Sequence, residues 1–252
     1  MSNLTQNKLP DDIVQHIEHL ERVRRDFIAN VSHELRTPLT VIRGYLEALI
    51  EQNDGKNPSW DNIFKQMHQH SLRMEHIITD LLFLSRLETT EQEVVYQKKL
   101  PIANILTAIC EDARQLSQQQ HHISLTKDSD LYLDGIAEEL KSLFYNLIGN
   151  AVKYTPKGGK IEVVWKREKD QACFKVIDNG IGIEKKDIPR ITERFYRVDK
   201  ARSRDSGGTG LGLAIVKHVL LRHQGELIIR SELGKGSEFC CLFSKEMVSV
   251  GK

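Results

Sequence analysis

Apolar residues recur at helical spacing through the first third of the chain, and they strongly limit what it can fold into. At about 100° per residue, one stripe gathers Phe27, Val31, Leu35, Leu39, Ile42, Leu46 and Leu49. After a cluster of helix-breaking residues at 52–59, a second stripe predicts a helix that ends near Glu88. A hairpin of two helices is too small to cover stripes of this width. We therefore predict that two copies of the chain pair into a four-helix bundle.

His33 lies roughly opposite the first stripe, on the polar face of the predicted helix. The next residue is an acid, Glu34, and Thr37 follows one helical turn later. Pro38 cannot donate a hydrogen bond to the carbonyl of Glu34, which predicts a kink or a loosened turn beside the histidine. A lone surface histidine is usually only solvated, but this set of neighbours indicates a histidine displayed for chemistry.

From Leu100 onward, helical and strand patterns alternate, which predicts a separate α/β unit. Helical periodicity covers 102–118, 136–154 and 211–223. Strand patterns cover 122–126, 131–133, 160–167, 172–177, 226–231 and 238–243. Short turns join several neighbouring strands, so a mixed sheet with helices on one face is favoured over a doubly wound fold. The predicted fold class is α+β.

Charge and hydropathy exclude several classes of protein. The 36 Lys and Arg residues nearly cancel the 35 Asp and Glu residues, which leaves no bulk electrostatic basis for nucleic-acid or membrane binding. The sequence contains no run of about 18 apolar residues and no secretory signal pattern. We expect the chain to be cytoplasmic, with any link to the cell (inner) membrane made through a region N-terminal to it.

Cysteines and histidines show no metal-ligand spacing. The four cysteines are Cys110, Cys173, Cys240 and Cys241, and none belongs to a CxxC pair. Adjacent Cys240 and Cys241 would face opposite sides of a strand, so we predict buried, reduced thiols. The histidines other than His33 form no complete metal set.

Asn146, Asn150 and Lys153 lie on one face of a predicted helix, at steps of four and three residues. Amide oxygens suit Mg²⁺, which prefers oxygen ligands, and an ammonium group one turn away suits a phosphate. A single asparagine on this face would be explained by simple exposure. Two asparagines followed by a lysine favour a site for a phosphorylated ligand with its cation.

Two glycine-rich segments extend this pattern. Asp178 ends a predicted strand and precedes Gly180 and Gly182, so its carboxylate can accept from an exocyclic amine while the glycines let the backbone approach a flat base. The run 207–213 opens a helix and contains Gly207, Gly208, Gly210 and Gly212. Its backbone N–H groups and helix dipole can hold phosphate oxygens.

The segment 194–206 between the glycine runs is basic and lacks periodicity. It predicts a flexible lid whose arginines neutralise phosphate charge. A nucleic-acid-binding patch is the competing interpretation, and the neutral net charge and lack of interleaved aromatic residues disfavour it.

The sequence Ser-His-Glu-Leu-Arg-Thr-Pro at 32–38, together with these clusters, resembles sensor histidine kinases of two-component systems. The resemblance runs from about Leu20 to about Phe243 and is strongest to phosphate-sensing members, through 37–47 and 192–204. It implies a helical hairpin that forms a dimeric four-helix bundle, followed by a GHKL (Bergerat) ATP-binding α/β sandwich. The implied domains are a lead-in at 1–20, a dimerisation and phosphotransfer domain at 21–88, a linker at 89–99, a catalytic domain at 100–246 and a tail at 247–252.

The resemblance implies roles for individual residues. His33 would attack the γ-phosphorus of ATP, Glu34 would hold the other ring nitrogen, and Arg197 would stabilise charge on the transferred group. Asn150 would bind Mg²⁺ with help from Asn146. The implied nucleotide-binding residues are Asn146, Asn150, Lys153, Tyr154, Asp178, Gly180, Gly182, Gly208, Gly210, Leu211 and Gly212.

The implied partner is a response regulator of the OmpR/PhoB type, chosen through Thr40, Gly44 and Tyr45. The pair Glu34 and Thr37 is the family pattern for removing phosphate from that regulator. Two alternatives stay open: a GHKL ATPase that hydrolyses ATP, and a dimeric scaffold that binds nucleotide only as a signal. Hydrolysing relatives carry a glutamate where Asn146 stands, and an amide cannot take a proton from water.

Overall fold

The computed structural model describes residue 31 and the ranges 35–47, 60–89, 96–198 and 208–250. The chain divides into two compact units, Met1–Ile77 and Ile78–Lys252. His33 and Glu34 lie outside the described residues. Within the described ranges, every helix is too short or too polar to cross a lipid bilayer.

Two helices form the described part of the first unit: α1 (35–47) and the N-terminal portion of α2 (Trp60–Thr89). The Tyr45 hydroxyl donates to the side chain of Gln66, which links the two helices. Four large apolar side chains of these helices are exposed in the single chain, namely Leu39, Leu46, Phe64 and Leu72. Pairing of two copies would cover an apolar surface of this kind.

The second unit contains the end of α2, three further helices and two sheets. Its helices are α3 (Ile102–Leu116), α4 (Ala137–Tyr154) and α5 (Gly212–Arg222), with a 3₁₀ turn at Lys245–Met247. Its strands are β1 (Gln97–Leu100), β2 (His122–Lys127), β3 (Leu131–Gly135), β4 (Lys160–Glu168), β5 (Gln171–Asp178), β6 (Gly225–Glu232), β7 (Gly236–Phe243) and β8 (Val248–Val250).

The five-stranded sheet has the order β2-β4-β5-β7-β6, with β2 parallel to β4 and the other neighbours antiparallel. Alternate residues of β4 and β5 form the core against the helices, including Val163, Trp165 and Phe174. Phe144 of α4 packs edge-on against Phe174, with ring centroids 4.6 Å apart. The predicted mixed sheet with helices on one face is confirmed.

The smaller sheet is antiparallel, with the order β1-β3-β8. Strand β1 begins inside the range predicted as a linker (89–99), and β8 lies in the predicted tail (247–252). Both strands are too short to show an alternating pattern in the sequence. They exist because they pair with β3, whose Leu131 and Leu133 are buried. The other predicted helices and strands of this unit agree with the structure to within two residues at each end.

A buried polar cluster joins the end of α5 to the start of α4. The ring of His223 is fully buried; its Nδ1–H donates to the carbonyl of Val219 at 2.8 Å, and its Nε2 accepts from the Ile136 N–H at 3.0 Å. The Arg222 guanidinium lies 3.1 Å from a carboxylate oxygen of Glu139. Burial penalises the charged ring and lowers the pKa of His223 from its usual 6.5, although the Val219 carbonyl and the Glu139 carboxylate act in the opposite direction.

We predict that His223 makes folding stability depend on pH. Its pKa in the folded state is below 6.5, so as the pH falls the unfolded chain takes up the proton first. The free energy of unfolding is therefore retained above pH 6.5 and declines below it. In urea titrations between about pH 7.5 and 5.5, His223→Gln should lose less stability than wild type. Exposed His122 is the control, because His122→Gln should leave the wild-type slope unchanged. Parallel curves for wild type and His223→Gln would assign the pH dependence to other groups.

Candidate functional site

Four segments of the second unit meet at the C-terminal end of α4. They are the last two turns of α4, the loop that follows β5, the segment 193–198, and the residues 208–211 that precede α5. The Ile181 N–H donates to the carbonyl of Tyr154 at 3.1 Å, which ties the β5 loop to the end of α4. The Phe195 N–H donates to the carbonyl of Gly210 at 2.9 Å, which ties the other two segments together.

Asn146 presents its amide oxygen to the start of α5. Its amide nitrogen donates to the Ser142 carbonyl at 2.9 Å, so the oxygen is the atom turned outward from α4. A Cβ placed on Gly212 would lie only 2.3 Å from that oxygen. Asn150 lies one turn later on α4 and is half-buried. These oxygens fit a hard cation that prefers oxygen ligands, such as Mg²⁺. The described residues contain no group of three or more His, Cys, Asp or Glu side chains suited to a metal.

Lys153 and Tyr154 lie against the glycine run, and the Arg197 guanidinium lies near Tyr154. A Cβ on Gly208 would lie 2.3 Å from the Lys153 ammonium, so a larger residue there would displace the end of the lysine side chain. The ammonium also sits 5.0 Å from the centre of the Tyr154 ring. Burial raises the pKa of Tyr154, and the nearby Arg197 guanidinium opposes this effect. The Lys153 ammonium therefore lies beside the backbone of the glycine run, an arrangement that suits phosphate.

Asp178 is a buried carboxylate at the end of β5, with 8% of its surface exposed. Its Oδ1 accepts from the Gly180 N–H at 2.8 Å. Burial raises the pKa of Asp178, while hydrogen bonds from the Gly180 and Ser237 N–H groups act in the opposite direction. Burying an ionised carboxylate is costly because the group loses its water. A buried carboxylate that is held by backbone N–H donors is therefore typical of a binding site.

The glycines of the β5 loop allow close backbone contacts. A Cβ on Gly180 would lie 2.5 Å from the carbonyl oxygen of Tyr154, and one on Gly182 would lie 2.0 Å from the carbonyl oxygen of Glu232. Gly182 also has φ +68°, which L side chains rarely adopt. The loop is therefore pressed between α4 and the turn that joins β6 to β7.

The last turns of α2 contact the same glycine run, which the sequence did not predict. The Thr209 hydroxyl donates to Asp80 at 2.9 Å and accepts from the Leu211 N–H at 3.2 Å. Further along α2, Glu88 pairs with Arg194 and lies 3.2 Å from Nε2 of His218. Acidic residues on the polar face of a helix are common, so the sequence alone does not single out Asp80 and Glu88. Only the fold shows that they lie next to the glycine run and the segment 193–198.

The remaining predicted residues lie elsewhere or outside the described part. Thr37, Thr40 and Gly44 are exposed on α1, in the first unit, and Tyr45 donates to Gln66 there. Residues 199–207, which include the rest of the basic segment and Gly207, lie outside the described residues. The predicted nucleotide-binding residues from Asn146 to Gly212 all lie in the second unit.

Two family models match the chain. Residues 135–247 match the family described as histidine kinase-, DNA gyrase B- and HSP90-like ATPase, which takes in the pocket. Residues 23–90 match the His Kinase A (phospho-acceptor) domain, which takes in His33. This chain belongs to the sensor histidine kinases.

Relatives of this sensor histidine kinase include two phosphate regulon sensor proteins named PhoR. The one from Pseudomonas aeruginosa is 48% identical over 237 residues, and the alignment covers 94% of this chain and 53% of that protein. The one from Haemophilus influenzae is 40% identical over 230 residues, with 91% and 53% covered. The chain thus spans about half the length of these relatives.

Solved structures show the same fold. The Acinetobacter baumannii histidine kinase AdeS superposes with a TM-score of 0.68 at 22% identity, covering 84% of this chain and 98% of that one. The histidine kinase ThkA, in complex with the response regulator protein TrrA, superposes with a TM-score of 0.70 at 17% identity, covering 95% and 68%. At these identities the superpositions establish the kinase fold alone.

Proposed function

We propose that the chain is the ATP-dependent kinase portion of a phosphate-sensing histidine kinase, which phosphorylates His33 and passes the phosphoryl group to an aspartate of a response regulator. One observation carries the proposal: the α4 face, the Asp178 loop and the glycine run, far apart in sequence, are in contact at the end of α4, and together they bring amide, cationic and carboxylate groups to the walls of one candidate pocket. That distribution suits a nucleoside triphosphate with its cation.

Each wall has a task in this proposal. Asp178 accepts from the adenine amine, and Gly180 and Gly182 let the backbone close on the base. Lys153 and the N–H groups of the run Gly208, Gly210, Leu211 and Gly212 hold the phosphates, while Tyr154 packs against the nucleotide. Asn150, with Asn146 beside it, would hold Mg²⁺, which would supply positive charge to the phosphate oxygens.

Phosphoryl transfer requires a neutral nitrogen on His33. That nitrogen attacks the γ-phosphorus of ATP, the bond from phosphorus to the bridging oxygen breaks, and ADP leaves. Glu34 accepts from the other ring nitrogen, which fixes the tautomer and stabilises the positive charge that develops on the ring. Arg197, whose guanidinium lies near Tyr154, stabilises negative charge on the moving group.

The proposed assembly is a homodimer that pairs through the apolar faces of α1 and α2 and meets a response regulator of the OmpR/PhoB type at Thr40, Gly44 and Tyr45. Exposed Leu39, Leu46, Phe64 and Leu72 support the pairing. The structure of ThkA with TrrA is a complex of a histidine kinase and a response regulator on a similar fold. The proposed domains keep the predicted bounds: lead-in 1–20, phosphotransfer domain 21–88, linker 89–99, catalytic domain 100–246 and tail 247–252.

Incubation of the full chain with γ-labelled Mg-ATP tests the kinase assignment. We expect acid-labile, alkali-stable label on the protein, and none on His33→Gln. Nucleotide affinity of the variant should stay at the wild-type value, because the pocket lies in the other unit. Free phosphate without labelled protein would instead support an ATPase. Nucleotide binding with neither product would support a scaffold.

We predict that Thr37 separates removal of the regulator's phosphate from kinase activity. Thr37 is exposed on α1, four residues after His33 in the sequence, and its hydroxyl can orient a water that attacks the regulator's aspartyl phosphate. Thr37→Ala should slow that dephosphorylation about 10-fold or more and leave labelling of His33 unchanged. Thr37→Ser keeps the hydroxyl and should restore the rate. Equal loss of both activities in Thr37→Ala would indicate damage to the helix rather than a lost water contact.

A further inference from the structure

Two cysteines lie side by side on the face of the five-stranded sheet that is turned away from the helices. The sulfur atoms of Cys173 and Cys240 are 3.4 Å apart. Both residues are buried, with 0% and 4% of their surface exposed, yet neither belongs to the hydrophobic core beneath the helices. Their neighbour in sequence, Cys241, points into that core, as the predicted alternation along β7 requires.

The strand register places the two thiols as diagonal neighbours. On antiparallel strands β5 and β7, Cys173 pairs with Leu242 and Lys175 pairs with Cys240. A disulfide needs its sulfurs about 2.05 Å apart, so the thiols must approach by little more than an ångström. Diagonal neighbours on antiparallel strands have Cα atoms about 7–8 Å apart, so the bond closes by side-chain rotation together with a small shift of the two strands toward each other.

Charged side chains cover the pair on the solvent side. Lys175 and Lys166 both reach Oε1 of Glu168, at 3.0 Å each, and all three side chains share the outer face. The two thiols share a hydrogen bond, and this bond, assisted by the Lys175 ammonium, lowers the pKa of Cys240. The same bond, together with burial, raises the pKa of Cys173. Lys175 lies directly opposite Cys240 on the neighbouring strand, so its ammonium favours a thiolate on Cys240.

We propose that Cys173 and Cys240 are a redox-active pair, which a hydroperoxide oxidises to an intramolecular disulfide between β5 and β7. The Cys240 thiolate attacks one peroxide oxygen, the O–O bond breaks, and hydroxide leaves, giving a sulfenic acid. The sulfur of Cys173 then displaces hydroxide from the sulfenic sulfur, and the thiol proton leaves with it as water. In sum, two thiols and hydrogen peroxide give one disulfide and two waters.

Low exposure restricts the oxidant. With 4% of Cys240 exposed, only a small molecule reaches the sulfur while the lysine and glutamate side chains cover it. Hydrogen peroxide is small enough, whereas a bulky disulfide is not. The buried thiol of Cys110 should stay inert, because burial raises its pKa to about 11 despite the opposing charges of Arg114 and Lys127.

Peptide mapping of the full chain tests the proposal. After treatment with hydrogen peroxide, alkylation in denaturant and digestion, mass spectrometry should find the Cys173 and Cys240 peptides joined, lighter by two hydrogen atoms, and separated again by dithiothreitol. Cys110 and Cys241 should be alkylated in full. Free, alkylated Cys173 and Cys240 after peroxide treatment would overturn the proposal, as would a cross-link from either residue to another cysteine.

Two sets of variants identify the attacking and resolving sulfurs. In Cys173→Ser, peroxide should leave a sulfenic acid on Cys240 that dimedone traps, because no second thiol displaces it.

Lys175→Gln keeps both thiols, so it tests the electrostatics even where a cysteine variant folds poorly. It should slow disulfide formation about 5-fold or more, whereas the matched Lys166→Gln, which loses the lysine that does not act on Cys240, should match wild type. Equal rates for the two lysine variants would contradict the assignment of Cys240 as the attacking thiolate.

Discussion

Asp178→Asn is expected to bind ATP about 100-fold more weakly than the wild-type chain. The buried carboxylate accepts from the backbone N–H of Gly180 and Ser237, and in the proposed complex it also accepts from the adenine amine. An amide of the same shape carries no charge, and its NH₂ group must face either those backbone donors or the amine. Each hydrogen bond to a charged acceptor contributes about 1.5–3 kcal/mol, which accounts for the size of the loss. Calorimetric titration with a non-hydrolysable ATP analogue measures it.

Asn179 supplies the matched control for Asp178. It is the next residue, it is exposed, and its side chain accepts from the Lys160 N–H at 2.7 Å, away from the pocket. Asn179→Ala should lower thermal stability slightly and leave ATP affinity within about 2-fold of wild type. Wild-type affinity in Asp178→Asn, with the fold intact by circular dichroism, would show that the adenine amine is read elsewhere.

Much of the second unit follows from residue patterns because its elements are long. Helix α4 shows its apolar stripe over 18 residues, and β4 and β5 alternate over nine and eight. Strands β1 and β8 have four and three residues, so nothing local distinguishes them from loops. These two strands form because they pair with β3, which is distant from them in the sequence. Periodicity within such short segments does not predict this pairing.

The pocket was predictable in its parts but not in its contacts. Spacing on α4 placed Asn146, Asn150 and Lys153 on one face. The glycine runs indicated segments whose backbone is contacted closely by another group. Which atoms meet depends on side-chain direction, as in the contact of the Lys153 ammonium with Gly208. The hydrogen bond from Thr209 to Asp80 joins residues 129 positions apart, and no local pattern encodes such a pair.

The cysteines show the same division. Alternation along a strand was sufficient to predict that Cys240 and Cys241 point to opposite faces. The approach of Cys173 to Cys240 depends on the register between β5 and β7, and a shift of one residue would send the thiols to opposite faces. That register depends on the packing of all the buried side chains of the sheet. It cannot be read from the pattern of any single strand.

Gly158→Ala and Gly182→Ala separate two costs that a glycine avoids. Gly158 has φ +81° and open space around the position of a Cβ, so its replacement should cost only backbone strain, about 1 kcal/mol of unfolding free energy. Gly149, with open space and an ordinary helical φ in α4, supplies a baseline. Gly149→Ala should be neutral or stabilising by about 0.5–1 kcal/mol, because alanine is the better helix former.

Gly182→Ala is expected to lower the free energy of unfolding by about 3 kcal/mol or more. It carries the strain of φ +68°, and its Cβ would lie 2.0 Å from the carbonyl oxygen of Glu232, a backbone atom that cannot rotate away. The β5 loop and the turn from β6 to β7 must therefore separate, and the Gly234 N–H bond to the Ile181 carbonyl is strained with them. Urea denaturation of the variants with wild type measures the difference. Equal losses of unfolding free energy in Gly182→Ala and Gly158→Ala would mean that the β5 loop moves away from Glu232 at no measurable cost. Tight packing against Glu232 would then not determine the position of this loop.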